Sequence, residues 1–112
     1  MPSEGCPDMG VYDRLFVPAP SPCPACGSRE DWVIQFHFGD VHLNRFRVGD
    51  AIAWSDHAKG SPRSGPFEVP GYPEWCKQCG ADDKPFHLVQ FDGDVITGHR
   101  PATEEDGQRF AW

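Results

Sequence analysis

Basic charge is scarce in this chain. Ten Lys and Arg stand against 17 Asp and Glu, giving a formal net charge of -7. Phosphate backbones are held by basic faces, so this balance argues against nucleic acid as a partner. Long apolar runs are missing as well. None approaches the roughly 18 consecutive residues that a bilayer-crossing helix needs, and no membrane span is read. The opening MPSEGCPDMG carries neither a basic start nor an apolar stretch. No secretory signal is read there, and the expected compartment is a reducing cytoplasm. Core-forming bulk is short too. Leu, Ile, Val and Phe make up only 22 of 112 residues, while Gly and Pro take 24. A core that thin usually needs a staple. A Gly-rich phosphate loop, a His-Glu-x-x-His pair and a nucleophile–base–orienter set are all lacking. Nothing therefore marks the chain as an enzyme.

Helical periodicity does not persist over ten residues, and short stretches of period two take its place. Residues 11–17, VYDRLFV, read as a strand. Residues 32–38, WVIQFHF, put Trp32, Ile34, Phe36 and Phe38 on one face and Gln35 and His37 on the other. Gly39-Asp40 is a two-residue turn signal, after which 41–48, VHLNRFRV, is expected to return against 32–38. AIAW at 51–54 reads as a third short strand. Residues 55–66 hold seven Gly, Ser or Pro in twelve positions and read as a mobile loop. Phe67, Val69, Tyr72 and Trp75 resume the pattern between prolines. Residues 86–91 and 94–97 flank Asp92-Gly93, the strongest hairpin signal present. The tail favours a helical turn after Thr103, which Gly107 weakens. The expected fold class is small and all-β, with about six short strands and few or no helices.

One constellation supplies the staple. Cys23-Pro24-Ala25-Cys26-Gly27 is matched by Cys76-Lys77-Gln78-Cys79-Gly80. Two residues between cysteines let both sulfurs face one ion from a tight turn. The glycine that follows admits positive φ, so backbone N–H groups can turn towards the thiolates. Two such units make a tetrahedron of sulfur, which suits zinc and leaves no position for a reactive water. Disulfides or free thiols are the alternatives; a reducing compartment and two matched units disfavour them. The units are 49 residues apart. Compared with a compact module, that longer loop costs about 1 kcal/mol of closure entropy. Metal binding contributes roughly 10–16 kcal/mol in small structural sites, so the insertion is easily tolerated.

These residues resemble a zinc ribbon, a family in which two CPxCG-type knuckles on β-hairpins hold one zinc. The resemblance covers the knuckles and their flanking strands. It implies one structural Zn2+ on Cys23, Cys26, Cys76 and Cys79, with a β-meander inserted between the knuckles. It leaves function open, because ribbons serve in transcription machinery, ribosomal proteins, enzyme appendages and small bacterial or phage proteins. Met9-Gly10-Val11-Tyr12-Asp13 with Cys23-Pro24-Ala25-Cys26-Gly27 looks most like the last group. A second resemblance runs from Gly65-Pro66-Phe67-Glu68 through Trp75-Cys76, Cys79-Gly80-Ala81 and Lys84 to Phe86. It is similar to the second half of a rubredoxin and implies iron on the same four cysteines, with single-electron transfer. The longer gap, Ser28-Arg29-Glu30 after Gly27, and Lys77 in place of proline depart from that family.

The remaining candidates are softer. A hairpin at Gly39-Asp40 would set His37 opposite His42 at about 5 Å, close enough to share a second metal. His57, His87 and His99 lack ligand spacing to any cysteine, and Cys6 reads as an unpaired thiol in a loose extension. Arg45 and Arg47 alternate with Leu43 and read as lining a site for a phosphate or an acidic partner, or as edge charges that discourage aggregation. Trp54, Tyr72, Trp75 and Trp112 are candidate anchors for a protein partner, since hot spots favour Trp and Tyr. Residues 67–112 carry four basic and nine acidic side chains, a face that suits a basic protein. The expected organisation is a flexible extension at 1–10, a single zinc-ribbon-like domain at 11–100 and a tail at 101–112. The expected role is a metal-stabilised, non-enzymatic module that binds another protein.

Overall fold

The computed structural model describes residues 12–40, 44–54, 58, 60–81 and 85–109. Among these, the fold is mostly β: six strands form one sheet, and a single short helix follows. β1 (Asp13–Val17) and β2 (Trp32–Phe36) alternate buried and half-buried residues, as period two requires. They pair antiparallel, Asp13 opposite Phe36 and Val17 opposite Trp32, so the loop between them holds Cys23 and Cys26. β4 (Pro66–Pro73) and β5 (His87–Asp92) pair the same way, Pro66 opposite Asp92 and Gly71 opposite His87. Their connecting loop holds Cys76 and Cys79. β2 lies beside β4, Ile34 opposite Pro73 and Phe36 opposite Gly71. Both cysteine loops therefore leave the sheet side by side at one end. β2 reaches only Gly71–Pro73 of β4. Pro70, which has no N–H to give, lies just beyond the reach of β2, on a stretch that neighbours β5 alone.

The expected return of 41–48 against 32–38 is corrected. β2 already has β1 on one side and β4 on the other, which leaves no edge to receive another strand. β3 is only Arg45–Phe46 and runs parallel to β1, Arg14 opposite Arg45. Gly39, at φ +94°, turns the chain out of β2, and a Cβ there would press on Ile52 Cδ1 at 3.1 Å. Asp13, fully buried, holds the crossing chain by accepting the Asn44 N–H at 2.9 Å. The expected strand at 51–54 reduces to one bridge, Ala51 to Val95.

That bridge changes the shape of the sheet. β3 and β6 (Val95–Pro101) are its outermost strands. In a flat sheet they would lie about 24 Å apart. Yet Gly49, three residues after Phe46, donates to the Ile96 carbonyl at 2.7 Å, and Ile52 donates to the Asp94 carbonyl at 2.9 Å. Three residues span at most about 11 Å. The sheet must curl, and its concave side collects one core: Leu15, Val17, Ile34, Phe36, Phe38, Ile52, Val69, Val89, Phe91 and Ile96. Trp32, Phe46, Trp54 and Phe67 pack against it, and rings supply much of the volume that aliphatic residues do not. Phe67 and Phe91 stack at 5.2 Å, and Phe38 meets both.

β5 and β6 form the hairpin that the sequence signals, one residue later than expected: Asp92 pairs with Val95, so Gly93 and Asp94 make the turn, with Gly93 at φ +62°. A bulge follows at Gln90/Phe91: Phe91 faces Ile96, but Gln90 faces Gly98. Beyond it every side chain of β6 is turned to the other face. Arg100 thereby reaches the outer side, where it grips Glu68 at 2.7 Å and Asp106 at 2.8 Å. Asp106 belongs to α1 (Glu104–Arg109), the one helix among the described residues. Thr103 and Asp106 cap it reciprocally: Thr103 N donates to Asp106 Oδ2 at 2.8 Å and Asp106 N to Thr103 Oγ1 at 3.2 Å. No helix of the described residues is long and apolar enough to cross a membrane.

Two outcomes test these packings. Gly71→Ala sets a Cβ 2.7 Å from Ile34 Cγ2, a branched methyl that cannot swing aside, and 3.1 Å from Val89 Cγ2. Urea unfolding is expected to show a loss of about 1–3 kcal/mol. Hydrogen bonds from Arg100, then from Thr103, hold the Asp106 carboxyl below its ordinary range. Its stabilising contribution is complete above the ordinary carboxylate value near 4 and fades as pH falls below it. Asp106→Asn is expected to lower the urea midpoint at pH 7, and the gap to the wild type is expected to close in acid.

Candidate metal centre

Each cysteine pair sits on the same local turn. Gly27 N donates to the Cys23 carbonyl at 2.7 Å and Cys23 N to the Ser28 carbonyl at 2.9 Å. Gly80 N donates to the Cys76 carbonyl at 2.8 Å and Cys76 N to the Ala81 carbonyl at 2.9 Å. Gly27 and Gly80 hold φ of +77° and +78°, where a side chain would be strained. In both turns the first cysteine is buried and the second exposed.

The four sulfurs converge. Cys23 Sγ lies 3.7 Å from Cys79 Sγ, and Cys26 Sγ lies 3.7 Å from Cys76 Sγ. All four lie within 4.8 Å of one another. A disulfide needs about 2.05 Å, so these are thiols. Metal–sulfur bonds of about 2.3 Å in a tetrahedron put neighbouring sulfurs about 3.8 Å apart. The donor set, its number and its spacing thus fit one tetrahedral, thiolate-preferring ion. Backbone N–H groups of Cys79 and Gln78 favour the Cys76 thiolate and lower its pKa to about 6. For Cys26 the Ser28 N–H also favours the thiolate, but desolvation and the three neighbouring sulfurs outweigh it and push the pKa up to about 12. Cys79 is raised against the help of the Ala81 N–H. Four sulfurs this close resist shared ionisation, and a cation removes that conflict.

Glu74 braces the second turn, and no sequence pattern singles it out. It is buried, with its N–H on the Val33 carbonyl at 2.8 Å. Its carboxylate accepts from Arg14 on β1 at 3.0 Å, from Gln35 on β2 at 2.9 Å and from Lys77 at 2.8 Å. Burial opposes its charge, but hydrogen bonds from Lys77 and Gln35 and the Arg14 cation hold its pKa down. Gln78 also donates to Glu30, which ties the second turn to the segment after the first.

The other candidates are dispersed. His37 is exposed on the outer face, between the rings of Tyr12 at 6.3 Å and Tyr72 at 6.2 Å. His42, His57, Cys6 and Trp112 lie outside the described residues. Arg45 stacks over Phe16 at 4.6 Å, and Arg47 pairs with Asp31 at 3.2 Å. Trp54 packs on the core, its Nε1 donating to Asp94 at 2.9 Å. Tyr72 is half-buried against Phe86. Trp75 is 54% exposed beside the second turn, with Lys77 Nζ 4.8 Å from its ring. A cavity of about 680 Å³, lined by Arg63, Phe67, Glu68, Gln90 and Thr97 among others, includes neither histidine nor cysteine. Comparison with known protein families, curated proteins and solved structures finds no match.

Cys79→Ser removes one corner of the tetrahedron and is expected to lose bound metal and most of the thermal stability. Cys6→Ser is expected to change neither. Metal content and unfolding temperature measured on both variants decide the ligand assignment, and equal behaviour of the two refutes it.

Proposed function

We propose that the chain is a non-enzymatic protein-binding module whose fold is locked by one structural zinc ion. The observation that carries the reading is the closed donor set: four sulfurs at tetrahedral spacing fill every position with protein. Such a site holds an ion without leaving it a place to act on a substrate. The two loops it joins come from separate hairpins, so the ion fixes the end of the sheet rather than a single turn. Within this reading Trp75 is the first anchor to test, because it is large, aromatic and exposed beside that fixed end. The net charge of -7 favours a basic partner and disfavours nucleic acid. A reducing, cytoplasmic setting keeps the thiols available to metal.

Elemental analysis of protein purified without added metal is expected to give one zinc per chain and no colour. Iron with a reversible one-electron couple would replace this reading with an electron carrier. A native lysate passed over the metal-loaded chain is expected to yield a discrete basic partner. That partner is expected to be lost on chelation and weakened at least tenfold in Trp75→Ala. Salt-sensitive retention of nucleic acid instead would overturn the assignment.

A further inference from the structure

Two histidines that no spacing rule connects meet at the cysteine end of the sheet. His87 opens β5 and His99 lies on β6, where Val89 pairs with His99 and His87 with Pro101. Counted back from the Asp92–Val95 turn without interruption, His99 would fall on the outer face. The bulge at Gln90/Phe91 shifts the register by one and turns it inward, to the side of His87. The two ring centroids are 5.4 Å apart with planes tilted by 35°. His87 is 1% exposed, and the edge of Trp32 meets its ring at 5.5 Å.

Each ring offers a nitrogen that could serve as a ligand. His87 Nδ1 lies 3.0 Å from the Pro85 carbonyl oxygen. A carbonyl only accepts, so Nδ1 carries the proton and Nε2 keeps its lone pair. This is the arrangement by which a metal-binding imidazole is oriented from behind. His99 Nδ1 is buried and has no hydrogen-bond partner among the described residues. A buried ring nitrogen without a partner asks for an explanation, and a bound ion or water is one. Burial lowers the pKa of both rings, and for His99 the neighbouring His87 adds to it. Both rings are therefore neutral at pH 7, the form that coordinates. Arg100, next in the chain to His99, points to the opposite face and is engaged by Glu68 and Asp106. An imidazole nitrogen bonds a borderline metal at about 2.05 Å, which puts the ring centroid about 3.2 Å from the ion. Two rings at a near-tetrahedral angle then have centroids about 5.2 Å apart, close to the separation found here.

We propose that His87 and His99 form a second metal site, distinct from the cysteine tetrad, for one imidazole-preferring divalent ion such as Zn2+ or Ni2+. Water entering past the half-buried His99 completes the coordination. The site does not depend on which ion the cysteines hold.

The test uses the full chain as purified, with its cysteine-bound metal in place, titrated with Ni2+. Equilibrium dialysis followed by elemental analysis is expected to show one nickel per chain at micromolar free nickel, with the original metal content unchanged. Trp32 fluorescence is expected to fall as the site fills, and Trp32→Phe is expected to keep the nickel while losing that quenching. His99→Gln is expected to weaken nickel at least tenfold while its circular dichroism and cysteine-bound metal match the wild type. It keeps the test open should His87→Gln fail to fold. Three results overturn the proposal: no nickel retained, nickel gained only as the original metal is lost, or nickel bound undiminished by His99→Gln.

Discussion

The pairing of β2 with β4 is the contact on which the rest depends. Each cysteine pair lies in the loop of its own hairpin, and each hairpin is local in the chain. The Ile34–Pro73 to Phe36–Gly71 contact sets the two loops side by side. Gly71 is there because nothing larger fits between Ile34 and Val89. Glu74, one residue past the strand, extends the same contact outward through Arg14, Gln35 and Lys77. The sulfur tetrahedron is thus the tip of a sheet contact. A metal ion there would strengthen an arrangement that backbone pairing and a buried carboxylate already define.

The thin core is managed by curvature. A flat sheet of this size has two faces to cover, and 22 Leu, Ile, Val and Phe residues do not cover both. Curling lets one set of side chains serve facing strands at once. Aromatic rings fill the resulting interior, with Phe38, Phe67 and Phe91 in mutual contact and Phe36 against Phe91. The outer face is held by charge instead. Arg100 joins β4, β6 and α1 through Glu68 and Asp106, and the helix of six residues rests on that clamp and its cap.

What the sequence disclosed was what is local. The strands at 13–17, 32–36 and 87–92, the turn after Asp92 and each of the two cysteine pairs announce themselves within a few residues. The helical turn after Thr103 was legible from its cap, although Gly107 spoke against it. What stayed hidden depends on neighbours distant in the chain. The Gly39-Asp40 signal did not give the expected hairpin, because β2 had no free edge. Glu74 carries no pattern, since its partners come from β1 and β2. The bulge is the most consequential omission. One extra residue in β6 decides which way both His99 and Arg100 point, and alternation alone would have placed each on the wrong side.

The burial of the four sulfurs also has a direction. Cys23 and Cys76 are covered, whereas Cys26 and Cys79, one from each turn, face solvent. A bound ion would be shielded on its inner flank and approachable only across those two outer thiolates. Chelators, competing metals and oxidants would all have to arrive by that route, and the ion would leave along it. The lifetime of the complex would then be set at the outer pair, whatever affinity the complete tetrahedron provides.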